Sequence, residues 1–349
     1  MIELLKEVAR GKRGARDLTY DEAVRAAEKI LSMEATPAQI GAFFIAERIK
    51  MESVEELEAF VRVSRGHARR SEDLGIGLDC AGPYDGRKTS FYATFPTAFL
   101  LAAAGLPNAL HGTPSLPPKW GITLHDIVCA VGIAAEDLTP ERTLRAYAAS
   151  GVFFASTERW CPPLGRLRAI REELGMRTVL NSAEKLLDLA SSPRIVFGVY
   201  HNTVFDRLAR LFVKLGYERA LIVQGAEGSE DLHINRPTRT YLVENDEFRL
   251  QIFDPETYGI EAELPERTWT PGDQLAVAEA VLRGDSDLAY TNQVLFNGAV
   301  RLHLAGKAES VEQGLYACKA LIDDGEAHAA YASWRTALLE PAETAAASR

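Results

Sequence analysis

Hydrophobic and polar positions in the N-terminal part of the chain follow a helical pattern. Hydroxyl residues stand three positions before Glu or Gln, a spacing that closes a capping box at the start of a helix. The three pairs are Thr19/Glu22, Thr36/Gln39 and Ser53/Glu56. Apolar residues then recur at helical spacing after each pair. This pattern predicts a small antiparallel bundle of helices.

The pattern changes after the bundle. Short apolar runs alternate with helical patterns at 76–80, 109–110, 152–155, 195–200 and 220–223. Such alternation favours an α/β fold with a mostly parallel sheet. Two further runs, 238–244 and 247–253, flank Asn245-Asp246 and predict an antiparallel hairpin. Helical patterns return at 271–283, at 291–305 and from Ser310, where Gln313 predicts a fourth capping box.

These elements predict an α/β fold class with a small all-helical domain and a large α/β domain built on a mixed, mostly parallel sheet. The helical domain is predicted at 1–72, with a returning helical segment near 161–188. The α/β domain is predicted at 73–160 and 189–340, followed by an Ala-rich, frayed tail at 341–349.

Composition narrows the functional class. The 349 residues carry a formal net charge of -10, which disfavours a general nucleic-acid binder. Four cysteines form no C-x-x-C pair or zinc spacing, so we expect a reduced, cytoplasmic setting. The N-terminus lacks the pattern of a signal peptide, and the longest apolar run, at 98–105, is too short to cross a membrane.

The stretch from Asp79 to Gly132 contains most of the candidate binding residues. It combines a strand, a turn with Asp85-Gly86, a helix start near Pro96 and a second polar turn at His111-Gly112. Loop amides and the positive end of a helix can hold an anion at one point. The stretch therefore predicts an anion site.

Motifs along nearly the whole chain resemble anthranilate phosphoribosyltransferase and its superfamily, which also contains pyrimidine nucleoside phosphorylases. The matching segments are 18–23, 34–43, 48–50, 171–178, 198–201, 220–225, 294–297 and 305–307. The resemblance implies a homodimer joined through the helical domains and a tryptophan-biosynthesis-related reaction. In that reaction phosphoribosyl moves from its diphosphate to an aromatic amine, with Mg2+ on the diphosphate.

The resemblance also implies a set of donor-binding residues: Gly82, Asp85, Gly86, Thr89, Thr94, His111, Gly112 and Lys119. Each has a simpler interpretation. Asp85-Gly86 is also typical of a turn, Thr94 of a helix N-cap, His111 of a loop histidine and Lys119 of a solvated lysine.

The resemblance places Arg171 at the carboxylate of the acceptor and Glu230-Asp231 at the magnesium ion. The alternative for Arg171 is a helix-surface ion pair with a neighbouring glutamate. The alternative for Glu230-Asp231 is a solvated acidic loop. No residue is assigned a catalytic role with certainty.

Several positions depart from the family pattern. Pro83 and Tyr84 replace part of a glycine-rich loop, and Phe95 replaces a threonine. Two cations that flank the family histidine are absent, since Leu110 and Pro114 stand there. A family Gly-Pro is Glu184-Lys185, which indicates an altered acceptor pocket.

The sequence therefore predicts a Mg2+-dependent phosphoribosyltransferase-like enzyme whose donor is phosphoribosyl diphosphate or a related phosphorylated sugar and whose acceptor is not anthranilate. The alternative is a catalytically inactive paralogue that binds a ligand or nucleic acid. A phosphorylase that acts on a nucleoside is a third possibility. The rings of Tyr84, Tyr92 or Phe95 inside the cleft, with the two carboxylates turned away, would rule against the enzyme.

Overall fold

The computed structural model describes residues 1–11, 13–71 and 74–341. The chain begins with four helices: α1 (Ile2–Val8), α2 (Tyr20–Leu31), α3 (Pro37–Lys50) and α4 (Val54–His67). The three predicted capping boxes are confirmed at the starts of α2, α3 and α4. Each box satisfies amides that the first helical turn leaves unpaired, which fixes where each helix begins.

A seven-stranded sheet follows in the order β3-β2-β1-β4-β5-β6-β7. Its strands are β1 (Leu78–Ala81), β2 (Asn108–Gly112), β3 (Val152–Ser156), β4 (Arg194–Gly198), β5 (Arg219–Val223), β6 (Thr238–Glu244) and β7 (Glu247–Phe253). Strands β1 to β5 are parallel, whereas β6 and β7 are antiparallel additions. The predicted mixed, mostly parallel sheet is confirmed, as is the hairpin, whose turn residues Asn245 and Asp246 both have positive φ.

Helices cover both faces of this sheet. The remaining helices are α5 (Thr94–Ala103), α6 (Leu124–Ala130), α7 (Pro140–Ser150), α8 (Thr157–Trp160), α9 (Pro162–Arg166), α10 (Arg168–Leu174), α11 (Leu180–Ala183), α12 (Phe205–Leu215), α13 (Pro271–Arg283), α14 (Leu288–Leu304), α15 (Val311–Asp323) and α16 (Glu326–Leu339). None of the helices in the described ranges has both the length and the apolar character needed to cross a membrane.

The core divides between the two faces because successive side chains of a strand point in opposite directions. In β4, Ile195 and Phe197 pack with α1–α4 and α8–α12, whereas Val196 packs with α5–α7 and α13–α16. The helical bundle thereby lies on one face of the sheet. Its α4 contacts α11 and α12 of the α/β part.

One local expectation has a different outcome, and another falls almost entirely outside the described residues. The hydroxyl of Ser310 accepts from the amide of Gln313 at the start of α15, but the side chain of Gln313 accepts from the amide of Glu309, so half of the fourth capping box is displaced by one residue. The frayed tail was predicted at 341–349, of which 342–349 lie outside the described residues.

Candidate functional site

The order of the strands indicates where a ligand can bind. Strand β1 connects forward to β2 on one side, while its other neighbour is β4, so the chain reverses direction across the sheet between β1 and β4. Parallel α/β sheets leave a crevice at the carboxyl ends of the strands at such a switch point. Binding residues are therefore expected in the loops that follow β1 and β4.

A cavity of about 190 Å3 lies at this point, and we name it the switch-point cavity. Its walls come from the loop after β1, the end of β4, the segment from Arg177 to Lys185, and the facing ends of α3 and α12. Four basic side chains, Arg48, Arg177, Lys185 and Arg207, line it against three acidic ones, Glu52, Asp85 and Glu227. With all seven of these groups charged, the lining of the cavity has a small positive charge in a protein of net charge -10.

Lys185 is the most unusual of these basic groups. Its ammonium donates to the carbonyl of Gly198 at 2.7 Å and lies 3.7 Å from the centre of the Phe197 ring. Burial lowers the pKa of Lys185 to about 7, against a smaller upward effect of nearby Glu230 and Asp85. An amine at the wall of this cavity therefore changes its charge near neutral pH.

Asp85 joins the cavity to the loop that carries Lys119. The Asp85 carboxylate accepts from Arg177 Nη2 at 2.6 Å and lies 3.3 Å from Lys119 Nζ. Burial lowers the pKa of Lys119, and Asp85 opposes that shift. Lys119 also donates to the carbonyl of Glu227 at 2.8 Å, so it already has two partners.

Glu227 fills an anion site made from backbone. The amides of Lys88, Thr89 and Ser90 all donate to its carboxylate at 2.9–3.1 Å, and the Ser90 hydroxyl adds a fourth bond at 2.8 Å. Burial raises the pKa of Glu227, but these amide and hydroxyl donors outweigh it and hold the pKa below its usual value. An anion site made of loop amides therefore lies within the stretch from Asp79 to Gly132, at residues 88–90 and not at the helix start, and an internal carboxylate fills it.

Glu230 and Asp231 lie deeper, and together with Arg87 and Arg301 they form what we name the buried charge network. Arg87 Nη1 contacts Asp231 Oδ2 at 2.6 Å, Arg87 Nη2 contacts Glu230 Oε2 at 3.3 Å, and Arg301 Nη2 contacts Asp231 Oδ1 at 2.9 Å. All four side chains are at most 2% exposed. Burial raises the pKa of Asp231, yet Arg87 and Arg301 outweigh it and keep the carboxyl ionised.

Tyr84 occupies the crevice at the carboxyl ends of β1, β2 and β3. Its hydroxyl lies 2.6 Å from Nδ1 of His111 and 2.8 Å from Oγ1 of Thr157, and its ring is buried. His111 Nε2 lies 3.1 Å from Oδ1 of Asp79. The histidine is therefore enclosed by protein groups on both ring nitrogens.

Arg171 is buried and forms a bidentate ion pair with Glu184. Its Nη1 and Nη2 donate to the two carboxylate oxygens of Glu184 at 2.6 and 2.8 Å, and both side chains are 2% exposed. Burial raises the pKa of Glu184, while Arg171 opposes the shift. The guanidinium face that would meet a ligand carboxylate is occupied.

Comparisons with known proteins identify the family. Residues 83–328 match the family described as "Glycosyl transferase family, a/b domain", and residues 2–68 match its "helical bundle domain". The chain belongs to this glycosyltransferase family. It is 31% identical over 331 residues to an anthranilate phosphoribosyltransferase of Xanthobacter autotrophicus, with 93% of each chain covered. A protein of the same name from Moorella thermoacetica is 33% identical over 319 residues, which cover 89% of this chain and 92% of that one.

Solved structures agree on the fold of this glycosyltransferase-family protein. Anthranilate phosphoribosyltransferase from Thermus thermophilus superposes with a TM-score of 0.82 at 23% identity, over 96% of this chain and 99% of that one. The Saccharomyces cerevisiae enzyme in complex with PRPP and Mg gives a TM-score of 0.80 at 19% identity, with 97% of both chains covered. The predicted fold class and the predicted resemblance are confirmed.

The residues predicted to bind magnesium do not fit that ion in this family member. A magnesium site needs carboxylate oxygens that face retained water or a phosphate, whereas Glu230 and Asp231 are fully buried and face guanidinium groups. In the residues that the structure describes, no group of three or more His, Cys, Asp or Glu side chains could hold a metal ion. The structure therefore differs from the prediction, because two arginines already neutralise the pair.

The predicted glycines lie where the backbone comes close to neighbouring side-chain and backbone atoms. A side chain at Gly82 would meet Glu230 Oε2 at 2.6 Å, and one at Gly86 would meet the carbonyl oxygen of Gly121 at 2.3 Å. Gly86 also has φ +76°, which favours glycine. Both positions pack the loop after β1 onto internal groups. Gly112 ends β2, and a side chain there would meet the amide nitrogen of His125 at 3.2 Å.

The two predicted threonines lie apart from the cavity walls. The backbone amide of Thr89 belongs to the site that Glu227 fills, and that of Thr94 donates to Asp231 at 3.2 Å. Across residues 1–11, 13–71 and 74–341, the buried hydroxyl of Thr94 meets no hydrogen-bond partner. Of the predicted set, only Asp85 lines the switch-point cavity, and Lys119 reaches it through Asp85.

Sequence reasoning did not assign Arg87, Arg301 and Lys185 to the site. Arg87 follows Asp85-Gly86 directly, but its acidic partners lie 143 and 144 residues further along the chain. Lys185 stands beside Glu184, in the dipeptide that departs from the family pattern. Arg301, on α14, gives no local signal because its partner lies 70 residues away.

Proposed function

We propose that this family member binds a phosphorylated pentose in the switch-point cavity and holds it without a divalent metal. The observation that carries the proposal is the group of four basic side chains at the β1/β4 switch point, where ligands of open α/β sheets bind. Guanidinium and ammonium groups suit phosphate oxygens. The names of the relatives support a pentose phosphate as the ligand class.

We further propose that anthranilate is not a substrate. The support is the ion pair of Arg171, whose two donor groups are taken by Glu184 at 2.6 and 2.8 Å. An aromatic carboxylate would have to displace a buried carboxylate that is already ideally placed. Tyr84 adds to this, since its buried ring fills the space beside His111 at the carboxyl ends of the strands.

Isothermal titration calorimetry tests the binding proposal. Ribose 5-phosphate and phosphoribosyl diphosphate are titrated into the full chain in the presence of EDTA, and phosphate-free ribose is the matched control ligand. We expect micromolar binding of the phosphorylated sugars, no binding of ribose, and the same affinity when Mg2+ replaces EDTA. Absence of heat with both phosphorylated sugars, with and without Mg2+, would overturn the proposal.

A second candidate is phosphoribosyl transfer to an acceptor other than anthranilate. Asp85 and Lys119, which match family donor positions, meet at the cavity and favour this candidate. The buried ring of Tyr84 and the pairing of Glu230 and Asp231 with arginines count against it. It predicts that an aromatic or nitrogenous amine releases pyrophosphate from phosphoribosyl diphosphate. Screening such amines by pyrophosphate release, with anthranilate as the expected negative, distinguishes transfer from binding alone.

We also propose that the protein forms a homodimer through its helical bundle. Large apolar side chains are exposed there, among them Ile2, Ile49 and Met51 at 57%, 72% and 53%. Light scattering after gel filtration measures the mass in solution. A monomeric mass at micromolar protein would contradict the dimer.

A further inference from the structure

The buried charge network balances its charges internally. Two carboxylates, Glu230 and Asp231, meet two guanidinium groups, Arg87 and Arg301, so the four ions sum to zero. Two guanidinium groups carry the same total charge as one divalent cation. A buried carboxylate pair needs such compensation, since uncompensated charge in the protein interior is costly.

The geometry excludes a metal ion at the same point. Both oxygens of Asp231 accept from guanidinium nitrogens, at 2.6 and 2.9 Å. One oxygen of Glu230 lies 3.3 Å from Arg87, and its other oxygen meets no donor within the described ranges. A magnesium ion at about 2.1 Å from the Asp231 oxygens would lie within the same space as the guanidinium groups and be repelled by them.

The arginines also tie together three parts of the chain. Arg87 belongs to the loop after β1, Arg301 to α14, and the carboxylates to the loop after β5. Arg87 is held further by the carbonyl of Phe91 at 2.9 Å and by the Tyr92 ring, whose centre lies 3.8 Å from Cζ.

We propose that Arg87, assisted by Arg301, is a built-in cation that replaces a divalent metal at the Glu230-Asp231 pair and makes this site independent of metal. The inference concerns the internal site alone and stands whether or not the switch-point cavity binds a sugar. It predicts that removal of Arg87 restores a divalent-cation site in its place.

Thermal unfolding of the full chain, in EDTA and in millimolar Mg2+ or Mn2+, provides the test. The wild type is expected to have the same Tm in all three. Arg87→Ser is expected to have a lower Tm in EDTA and to recover on the order of 3 °C or more when Mg2+ or Mn2+ occupies the freed carboxylates. Recovery identifies the arginine as the replacement of the ion.

Arg171→Ser is the matched control. It also removes a buried, ion-paired arginine, but it frees only the single carboxylate of Glu184. Its Tm is expected to fall without recovery in either metal. Equal responses of the two variants to metal, or no response of a folded Arg87→Ser, would overturn the inference.

Binding of Mn2+ to the wild type, measured by electron paramagnetic resonance, tests the inference even if Arg87→Ser does not fold. No bound Mn2+ supports the inference. Stoichiometric Mn2+ that is lost in Asp231→Asn would show a working metal site beside Arg87 and would overturn it.

Discussion

The buried charge network and the switch-point cavity lie close together in the fold, yet their charged side chains differ in pairing and in exposure. In the network, each carboxylate contacts an arginine and every side chain is at most 2% exposed. In the cavity, Arg177 pairs with Asp85 and Arg207 with Glu52, whereas Arg48 is exposed and meets no acidic partner in the described part of the chain. A site whose charges are internally paired stabilises the fold, whereas one with surplus charge can attract a ligand.

The same internal pairing recurs at two neighbouring points. Glu184 takes the place of a ligand carboxylate on Arg171, and Glu227 takes the place of an anion on the amides of residues 88–90. Three expected ligand groups, a metal, a carboxylate and a phosphate, each have a side chain in their place. The comparison therefore separates stability from binding, and variants on each side should affect one property and spare the other.

The largest expected effect is on stability, in the buried charge network. Asp231→Asn leaves Arg87 and Arg301 buried with only part of their compensation, which we expect to lower the free energy of unfolding by about 3–5 kcal/mol. Denaturant unfolding measures the change. Asp323→Asn is the control, because the Lys319–Asp323 pair is more than half exposed on both sides and is worth no more than about 0.5 kcal/mol. A similar small loss in both variants would show that the network does not stabilise the fold.

The second effect is on binding, in the cavity. Arg48→Glu reverses the charge of an exposed side chain that meets no acidic partner in the described part of the chain. Affinity for a phosphorylated pentose is expected to fall about tenfold, with no change in Tm.

Arg25→Glu, on α2, provides the matched control for Arg48→Glu. It makes the same change in net charge at an exposed position outside the cavity. We expect calorimetry to find wild-type affinity for this variant. Equal losses of affinity in the two variants would indicate a general effect of net charge and would contradict binding in the cavity.

The difference between the two regions also explains what the sequence could predict. Capping pairs, short apolar runs and the Asn245-Asp246 turn act over a few residues, so the helices, the strands and the hairpin followed from local patterns. The partners of Arg87 and Arg301 lie 144 and 70 residues away. Motif matching located the two carboxylates, but only the fold shows which cations reach them.

The third effect concerns the pH dependence of binding. Because burial lowers the pKa of Lys185 to about 7, the ammonium is charged below that pH and neutral above it. The affinity for a phosphorylated pentose is therefore expected to fall by up to about tenfold as pH rises through 7. The charged groups that act on Lys185 are Asp85, Glu184, Glu230 and Arg177.

Lys185→Met separates this effect from titration of the ligand. The phosphate group of the sugar has its own pKa near 6, and it titrates equally with both proteins. The pH-dependent difference between wild type and variant thus belongs to the lysine. Parallel pH profiles of the two proteins would contradict the assignment.

The smallest expected effect comes from replacing Glu227, whose internal carboxylate lies at the boundary between the two regions. Glu227→Gln keeps the shape of the side chain but removes the negative charge from the amides of residues 88–90, next to the cavity. Because the pKa of Glu227 is held low, its charge is present at neutral pH and repels a bound phosphate. Affinity for the phosphorylated sugar is expected to rise about threefold to fivefold.

Glu256→Gln, which changes an exposed glutamate outside the cavity, should leave the affinity unchanged. A loss of affinity in Glu227→Gln would mean that this carboxylate orders the loop for the ligand, so that internal pairing serves binding as well as stability.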